Sequence, residues 1–328
     1  MKKIAFDVMG SDAGVKDAIL ATMTFINKFS DYSIVLVGDE KEIKKYLIPH
    51  DRISILNNSN QVDKSSNLRY VHKEDNSMND ALRLLKDGEV DGCLSPGDSA
   101  RLMISAVFIL KKIEGINRPA FMPIFPTVLR DKKMIMLDVG ANLDINSDHL
   151  IQWAKLGNAF SKSVLNVSNP KVSILNVGIE ENKGFKEHQT ANELLRELKQ
   201  KNEINYVGFV EARELLSGEI DVVVTDGYAG NIALKSMEGA IINFQKIIKQ
   251  NLTSNIFRKI NALFLKKAFT NIKEHLDYRN VGAAWIIGVE GMVIKCHGSS
   301  DEKGYNGSLM QIKKGIDSNA LIEFKKVL

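Results

Sequence analysis

The sequence predicts an α/β fold in which a mostly parallel sheet is covered by helices. Short apolar runs rich in Val and Ile alternate with amphipathic stretches, the pattern of repeated strand–helix units. The runs are nearly continuous rather than alternately apolar and polar, as strands buried on both faces require. Each ends in a turn of Gly, Asp, Ser or Asn, and in open sheets of this kind ligands bind beyond the carboxyl ends of the strands.

The elements follow in order. Residues 4–8 form a strand that ends in Met9-Gly10-Ser11-Asp12 and leads to a helix at 15–27. A strand at 34–37 passes through Gly38-Asp39 into a helix from Glu40. Residues 57–67 are a polar, Ser- and Asn-rich loop, and Asn76 or Ser77 caps a helix at 79–86. Residues 91–94 form a strand, followed by Ser95-Pro96-Gly97-Asp98 and a helix at 99–112. Strands at 134–138 and 172–176 end in Val139-Gly140-Ala141-Asn142 and Val177-Gly178-Ile179-Glu180. A strand at 221–225 precedes Asp226-Gly227 and a long helix through Ser236 and Phe244. The last apolar run, 291–294, stops at Lys295-Cys296-His297-Gly298-Ser299-Ser300-Asp301, and a helix covers 302–316. With no repeat, low-complexity segment or Pro-rich linker, the reading is one domain over 1–328 with an amphipathic helical excursion at about 251–278.

Composition narrows the function. Lys and Arg number 44 against 40 Asp and Glu, a formal net charge of +4, and aromatic residues are 7% of the chain. That balance, with no nucleic-acid motif, gives no case for a nucleic-acid partner. The two cysteines, Cys93 and Cys296, have no metal or disulfide spacing and read as buried thiols in a reducing cytoplasm. No pair of histidines has metal-ligand spacing, so no metal is expected. His50, His72, His149, His188 and His275 sit in polar or helical surroundings and read as surface residues. Asp7 and Asp12 interrupt the first apolar stretch too early for a secretory signal, and no run reaches the roughly 18 apolar residues of a membrane span.

The polar turns are predicted to crowd one margin of the sheet. A strand-to-helix turn directs backbone N–H groups at one spot, and a helix N-terminus adds partial positive charge, so each suits an oxyanion or a phosphate as well as a simple cap. The candidates are Asp7 with Asp12; Asn76 and Ser77; Gly97, Asp98 and Ser99; Asp138, Gly140 and Asn142; Asp226, Gly227 and Asn231; and His297 with Gly298, Ser299 and Ser300. Lys183, among Glu180, Glu181 and Asn182, is a candidate cation for a phosphate or a developing oxyanion. There is no Walker string, no Gly-x-Gly-x-x-Gly after the first strand and no Gly-x-Ser-x-Gly elbow. Neither a nucleotide fold nor a covalent serine or thiol intermediate is therefore expected.

Together, in this order, these strings resemble the bacterial acyl-ACP:phosphate acyltransferase family, often called PlsX. The resemblance runs from Asp7 to about Ile316. It rests on the turns above together with Val37-Gly38-Asp39, Asn76-Ser77-Met78, Lys183-Gly184 and Leu215-Leu216-Ser217-Gly218-Glu219. It implies a homodimer of a three-layer α/β/α fold related to phosphotransacetylases and isocitrate-dehydrogenase-like enzymes. It implies transfer of an acyl group from acyl carrier protein to inorganic phosphate, without a cofactor. The acyl phosphate would feed a membrane glycerol-3-phosphate acyltransferase. Phosphate is then its own nucleophile, with Lys183, Asn231 and the backbone at Gly298 and Ser299 holding it, and His297 protonating the leaving thiolate or bonding phosphate.

The chain departs from the family where Ser95 to Arg101 replace Ser-Ala-Gly-Asn-Thr-Gly-Ala. Asp98 brings a carboxylate to an anion site, and Arg101 is its candidate partner. This departure motivates an alternative, a non-catalytic scaffold, beside a phosphotransacetylase using acyl-CoA. Within the excursion, Ile256, Ile260, Leu263, Phe264, Phe269, Ile272 and Leu276 recur at helical spacings with Arg258, Lys259, Lys266, Lys267 and Lys273, and Glu274 is the lone acid. Such a basic amphipathic helix suits an anionic membrane surface, acidic carrier protein or a dimer interface, so the protein is expected in the cytoplasm or peripherally on the inner face of the cell membrane.

Overall fold

The structure, a computed structural model, describes residues 1–63, 65–276 and 283–328, without the side chains of Lys273, Glu274 and Leu276. The end of the 251–278 excursion, with Tyr278, lies outside the described residues.

The first half alternates β1 (Lys2–Asp7), α1 (Lys16–Lys28), β2 (Tyr32–Gly38), a short α2 (Glu40–Lys44) and β3 (Ile53–Asn57). It continues through α3 (Ser77–Lys86), β4 (Gly92–Ser95), α4 (Ser99–Leu110), β5 (Ala120–Pro126) and β6 (Lys133–Leu137). The second half runs α5 (Ser147–Ser163), β7 (Lys171–Leu175), α6 (Lys186–Gln200), β8 (Asn205–Val210), β9 (Val222–Val224) and α7 (Gly227–Leu252). It ends with α8 (Ile256–Phe264), α9 (Lys266–Leu276), β10 (Ala283–Ile287), β11 (Val293–Cys296), α10 (Glu302–Asp317) and α11 (Ala320–Lys326).

The eleven strands among the described residues join one sheet in the order β3-β2-β1-β4-β11-β10-β5-β6-β9-β7-β8. Alternate strand residues face opposite layers. Ile4, Phe6, Ile34, Leu36, Leu94, Ile135 and Leu137 pack with α1, α5, α10 and α11 on one side. Ala5, Val35, Val37, Cys93, Met134 and Met136 pack with α3 and α4 on the other. The predicted α/β fold is thus three-layered and mostly parallel, with both faces apolar as the continuous runs require.

One expectation is corrected. It concerns where the polar turns lie, because within this mostly parallel sheet β10 is antiparallel to β11 and to β5, and β5 is antiparallel to β6. The block β3-β2-β1-β4-β11 is parallel within itself, as is β6-β9-β7-β8, and the two run in opposite senses. The polar turns therefore do not lie along one rim. They divide between two blocks that meet at β10 and β5.

Helix α7 stands apart. Of its 26 residues only Gly227 and Gly230 are buried, and α8 buries none. Phe257 is 77% and Phe264 85% exposed, beside exposed Ile256 and Leu263.

Candidate active site

A cleft of about 540 Å³ lies where the two blocks meet. From the first block come Gly10, Asp12, Gly97, Asp98, Ser99, Lys295, His297, Gly298, Ser299 and Ser300; from the second, Gly140 and Asn231. Phe121, Ile124, Phe125, Leu216, Leu234, Met237 and Ile241 give the same cleft a long apolar lining. One wall therefore offers hydrogen bonds and charge, another hydrocarbon contact.

Beneath the polar wall lies Asp7, fully buried at the end of β1. It accepts hydrogen bonds from Ser77 Oγ at 2.7 Å, Ser95 Oγ at 2.6 Å and the Met9 amide at 3.1 Å. Burial pushes its pKa up, and these bonds work against that shift. Ser95 Oγ in turn accepts the Gly97 amide at 3.0 Å. Gly10 comes so close to this turn that an added Cβ would sit 2.5 Å from the Gly97 nitrogen, so glycine is required there.

On the second block, Asp138 organises the opposite wall. Its buried carboxylate accepts the amides of Phe121 at 3.0 Å, Gly140 at 3.3 Å and Asn142 at 2.6 Å, and the Asn142 side chain at 3.0 Å. Asn142 also donates to Pro119 at 2.8 Å. The Asn142 carbonyl receives the Gly227 amide at 2.7 Å, which docks the start of α7 against this turn. Asp226 caps α7 through the Ala229 amide at 2.8 Å and lies 3.8 Å from His188 Nε2.

His297 sits at the mouth of the first-block turn. Its Nδ1 accepts the Ser299 amide at 3.3 Å and lies 2.8 Å from Ser299 Oγ. An acceptor at Nδ1 leaves the proton of a neutral ring on Nε2. Burial lowers the pKa of His297, and the positive charges of Lys295 and Lys235 lower it further, so the neutral ring prevails near pH 7.

The structure sorts the sequence candidates into two sets. Gly97, Asp98, Ser99, Gly140, Asn231, His297, Gly298, Ser299 and Ser300 line the cleft together. Asp7, Asn76, Ser77, Asp138, Asn142, Asp226 and Gly227 stand behind it, each with a partner inside the fold; Asn76, for example, caps α3 through the Asn79 amide at 2.9 Å. Lys183 is not brought to the cleft. It is exposed on the loop after β7, which Asn176 folds on itself by donating to the Gly178 and Lys183 carbonyls at 3.1 Å. Asp98 meets Arg101 at 3.6 Å and caps α4 through the Arg101 amide.

Two histidines depart from their expected surface placement. His149 and His188 are buried. His149 completes a capping box with Asn146, its Nδ1 accepting the Asn146 amide at 3.1 Å, and its ring stacks on Trp153. Both cysteines are buried as expected; burial pushes Cys296 up to about 11 and raises Cys93 well above its usual value, so neither is a ready nucleophile. No cluster of three or more His, Cys, Asp or Glu suited to a metal occurs among the described residues.

The comparisons with known proteins decide the family. Residues 2–321 match the family model described as "Fatty acid synthesis protein". The chain is 52% identical to the phosphate acyltransferase of Mycoplasma mobile, over the full length of both, and 38% identical to that of Bacillus cereus, over 99% of this chain and 98% of that one. The chain belongs to the phosphate acyltransferase family. With that membership it is an acyltransferase. A phosphotransacetylase from Streptococcus pyogenes shares the fold at a TM-score of 0.62 and 16% identity, covering 98% of this chain and 94% of its own.

Sequence reasoning missed several residues of this phosphate acyltransferase site. Lys295 lines the cleft one position before the end of β11, in register with Ser95 on β4. Its signal was available: an ammonium within an otherwise apolar strand is costly unless something offsets it. The hydrocarbon lining from β5 was hidden by Pro123 and Pro126, which argue against a central strand. No described helix is long and apolar enough to cross a membrane.

Proposed function

We propose that this phosphate acyltransferase moves a fatty acyl group from acyl carrier protein to inorganic phosphate, forming acyl phosphate for phospholipid synthesis. The observation that carries the reading is the two-sided cleft: Gly97, Ser99, Asn231 and Gly298 to Ser300 beside a lining of Phe121, Ile124, Phe125, Leu234, Met237 and Ile241. A fatty thioester needs the second wall and a phosphate the first.

In this reaction a phosphate oxygen attacks the thioester carbonyl carbon. A C–O bond forms and the carbonyl electrons move onto oxygen. The oxyanion then collapses, the C–S bond breaks, and the thiolate leaves and takes up a proton. Amides at the starts of α4 and α10 suit both the phosphate and the oxyanion. His297 Nε2–H is a donor for the phosphate or the departing sulfur. No side-chain nucleophile is needed, in keeping with two thiols held neutral by burial.

The exposed faces of α7, α8 and α9 supply the remaining surfaces. We read α7 as the seat of a second copy of the chain. We read α8 and α9 as a membrane-facing pair, since Ile256, Leu263 and Phe264 are exposed beside Lys266 and Lys267. A membrane glycerol-3-phosphate acyltransferase would then receive the product nearby.

Purified protein incubated with phosphate and either acyl carrier protein thioester or acyl-CoA, with hydroxylamine as trap, tests the reading. Hydroxamate that forms from the carrier-protein thioester only when phosphate is present is expected, because hydroxylamine also attacks thioesters directly. Hydroxamate from acyl-CoA alone identifies a phosphotransacetylase. None from either donor leaves the non-catalytic scaffold.

A further inference from the structure

We infer that Lys295 is the cation that holds the phosphate in the cleft. The inference rests on the reading of phosphate as acyl acceptor and names a ligand to it, the first residue of the 295–301 stretch, that sequence alone did not single out as a site residue.

Several observations converge on this side chain. Lys295 is part-buried in the cleft wall, between Ser95 of β4 and Ala284 of β10 in the sheet register. Its Nζ donates to the Pro96 carbonyl at 3.3 Å and to the Cys296 carbonyl. An ammonium has three N–H donors. Two carbonyls thus fix its position, and the third donor is left for the cleft. Among the described residues Lys295 makes no ion pair with a carboxylate, whereas Lys235, the other lysine of the lining, is held by Glu238 at 3.0 Å.

Electrostatics fits the same role. Burial lowers the Lys295 pKa, while Asp98, Asp12 and Asp7 pull it back up by charge. Among the described residues none of those carboxylates pairs with it directly, and the net shift stays downward. A dianion entering the cleft supplies the direct partner that they do not. Because two carbonyls already orient the donor, little reorganisation accompanies binding or the growth of charge during attack. The neighbouring His297 Nε2–H adds a second donor on the same wall of the cleft, its Nδ1 being occupied by the Ser299 amide.

Replacing Lys295 tests this in two independent ways. In Lys295→Met, which keeps the length and apolar bulk of the stem, the KM for phosphate should rise at least tenfold and the KM for the acyl thioester change less than twofold. Direct titration with inorganic phosphate, without any acyl donor, should show the same loss of affinity, and Lys295→Arg should regain part of it. Unchanged phosphate affinity in Lys295→Met overturns the inference. If that variant fails to fold, wild-type crystals soaked in phosphate decide: a phosphate oxygen about 3 Å from Nζ is expected. Phosphate elsewhere in the cleft, or none, overturns the assignment. Lys295-dependent phosphate binding without acyl phosphate would overturn the proposed reaction alone; acyl phosphate formed with wild-type phosphate affinity in Lys295→Met would overturn this inference alone.

Discussion

Ser95 on β4 donates a 2.6 Å hydrogen bond to Oδ2 of Asp7 on β1, joining two adjacent strands directly beneath the cleft. The same Ser95 oxygen accepts the Gly97 amide, so one hydroxyl ties a buried carboxylate to the backbone of a cleft-lining turn. Ser95→Ala removes both links. Leaving a buried carboxylate oxygen short of a donor should cost about 2 kcal/mol, read as a lower urea midpoint with an unchanged m-value. Loosening of the 96–99 turn should also weaken phosphate binding. A variant as stable as wild type would show that Asp7 finds its donors elsewhere.

Asp98 faces the cleft and caps α4, and the two roles separate on substitution. Asparagine caps as well as aspartate. Asp98→Asn should therefore leave the melting temperature nearly unchanged while removing a negative charge from the anion's surroundings. At about 1 kcal/mol for charges about 4 Å apart in water, phosphate KM should fall about fivefold. A higher KM would mean that the Asp98 carboxylate assists the anion, through Arg101 or otherwise.

His297 should titrate below the usual histidine value of 6.5, because burial and two nearby lysines disfavour the charged ring. Above that depressed pKa the ring is neutral and accepts the Ser299 amide. As pH falls through it, the ring gains a proton on Nδ1 and that bond is lost. NMR titration of the His297 ring should place the midpoint below 6.5, and bound inorganic phosphate should move it upward by adding negative charge. A midpoint at or above 6.5 that phosphate does not move would remove His297 from the anion site.

Gly230 leaves no room for a side chain: an added Cβ would sit 2.0 Å from the Asp138 carbonyl oxygen. Both groups are backbone and cannot yield cheaply. Gly230→Ala should destabilise the protein by about 3 kcal/mol, the upper part of the usual range for overpacking, and should displace the neighbouring Asn231 from the cleft. Wild-type stability and turnover would show that α7 shifts without consequence.

The layers of this fold were legible because the apolar runs at 4–8, 34–37 and 134–138 are nearly continuous, broken only by Asp7 and Asp138, and near-continuity is what burial on both faces imposes. The direction of the sheet was not. Its reversal depends on β5 and β10, where Pro123 and Pro126 in one and a brief Ala-Ala-Trp-Ile-Ile run in the other give little strand signal. The turns around Gly97, Gly140 and His297 were legible as candidates, and they line one cleft, because glycine, hydroxyl and carboxylate recur after strands. Asp7 and Asp138 carry the same residue types, yet they hold the walls from behind. Composition alone does not distinguish a carboxylate that meets a ligand from one that meets buried amides. Lys183 and Lys295 illustrate the same limit. The first stands in a conspicuous polar loop but outside the cleft, and the second, where the apolar run 291–294 gives way to a polar turn, still belongs to β11 and lines it.

The most direct test of the central claim uses phosphate labelled with oxygen-18 and an acyl carrier protein thioester, with product analysed by mass spectrometry. If phosphate attacks the thioester in this cleft, acyl phosphate retains every phosphate label, including the oxygen that bridges to the acyl carbon, and free carrier thiol appears in equal amount only when phosphate is present. Thioester loss at the same rate without phosphate, yielding free fatty acid, would contradict the account.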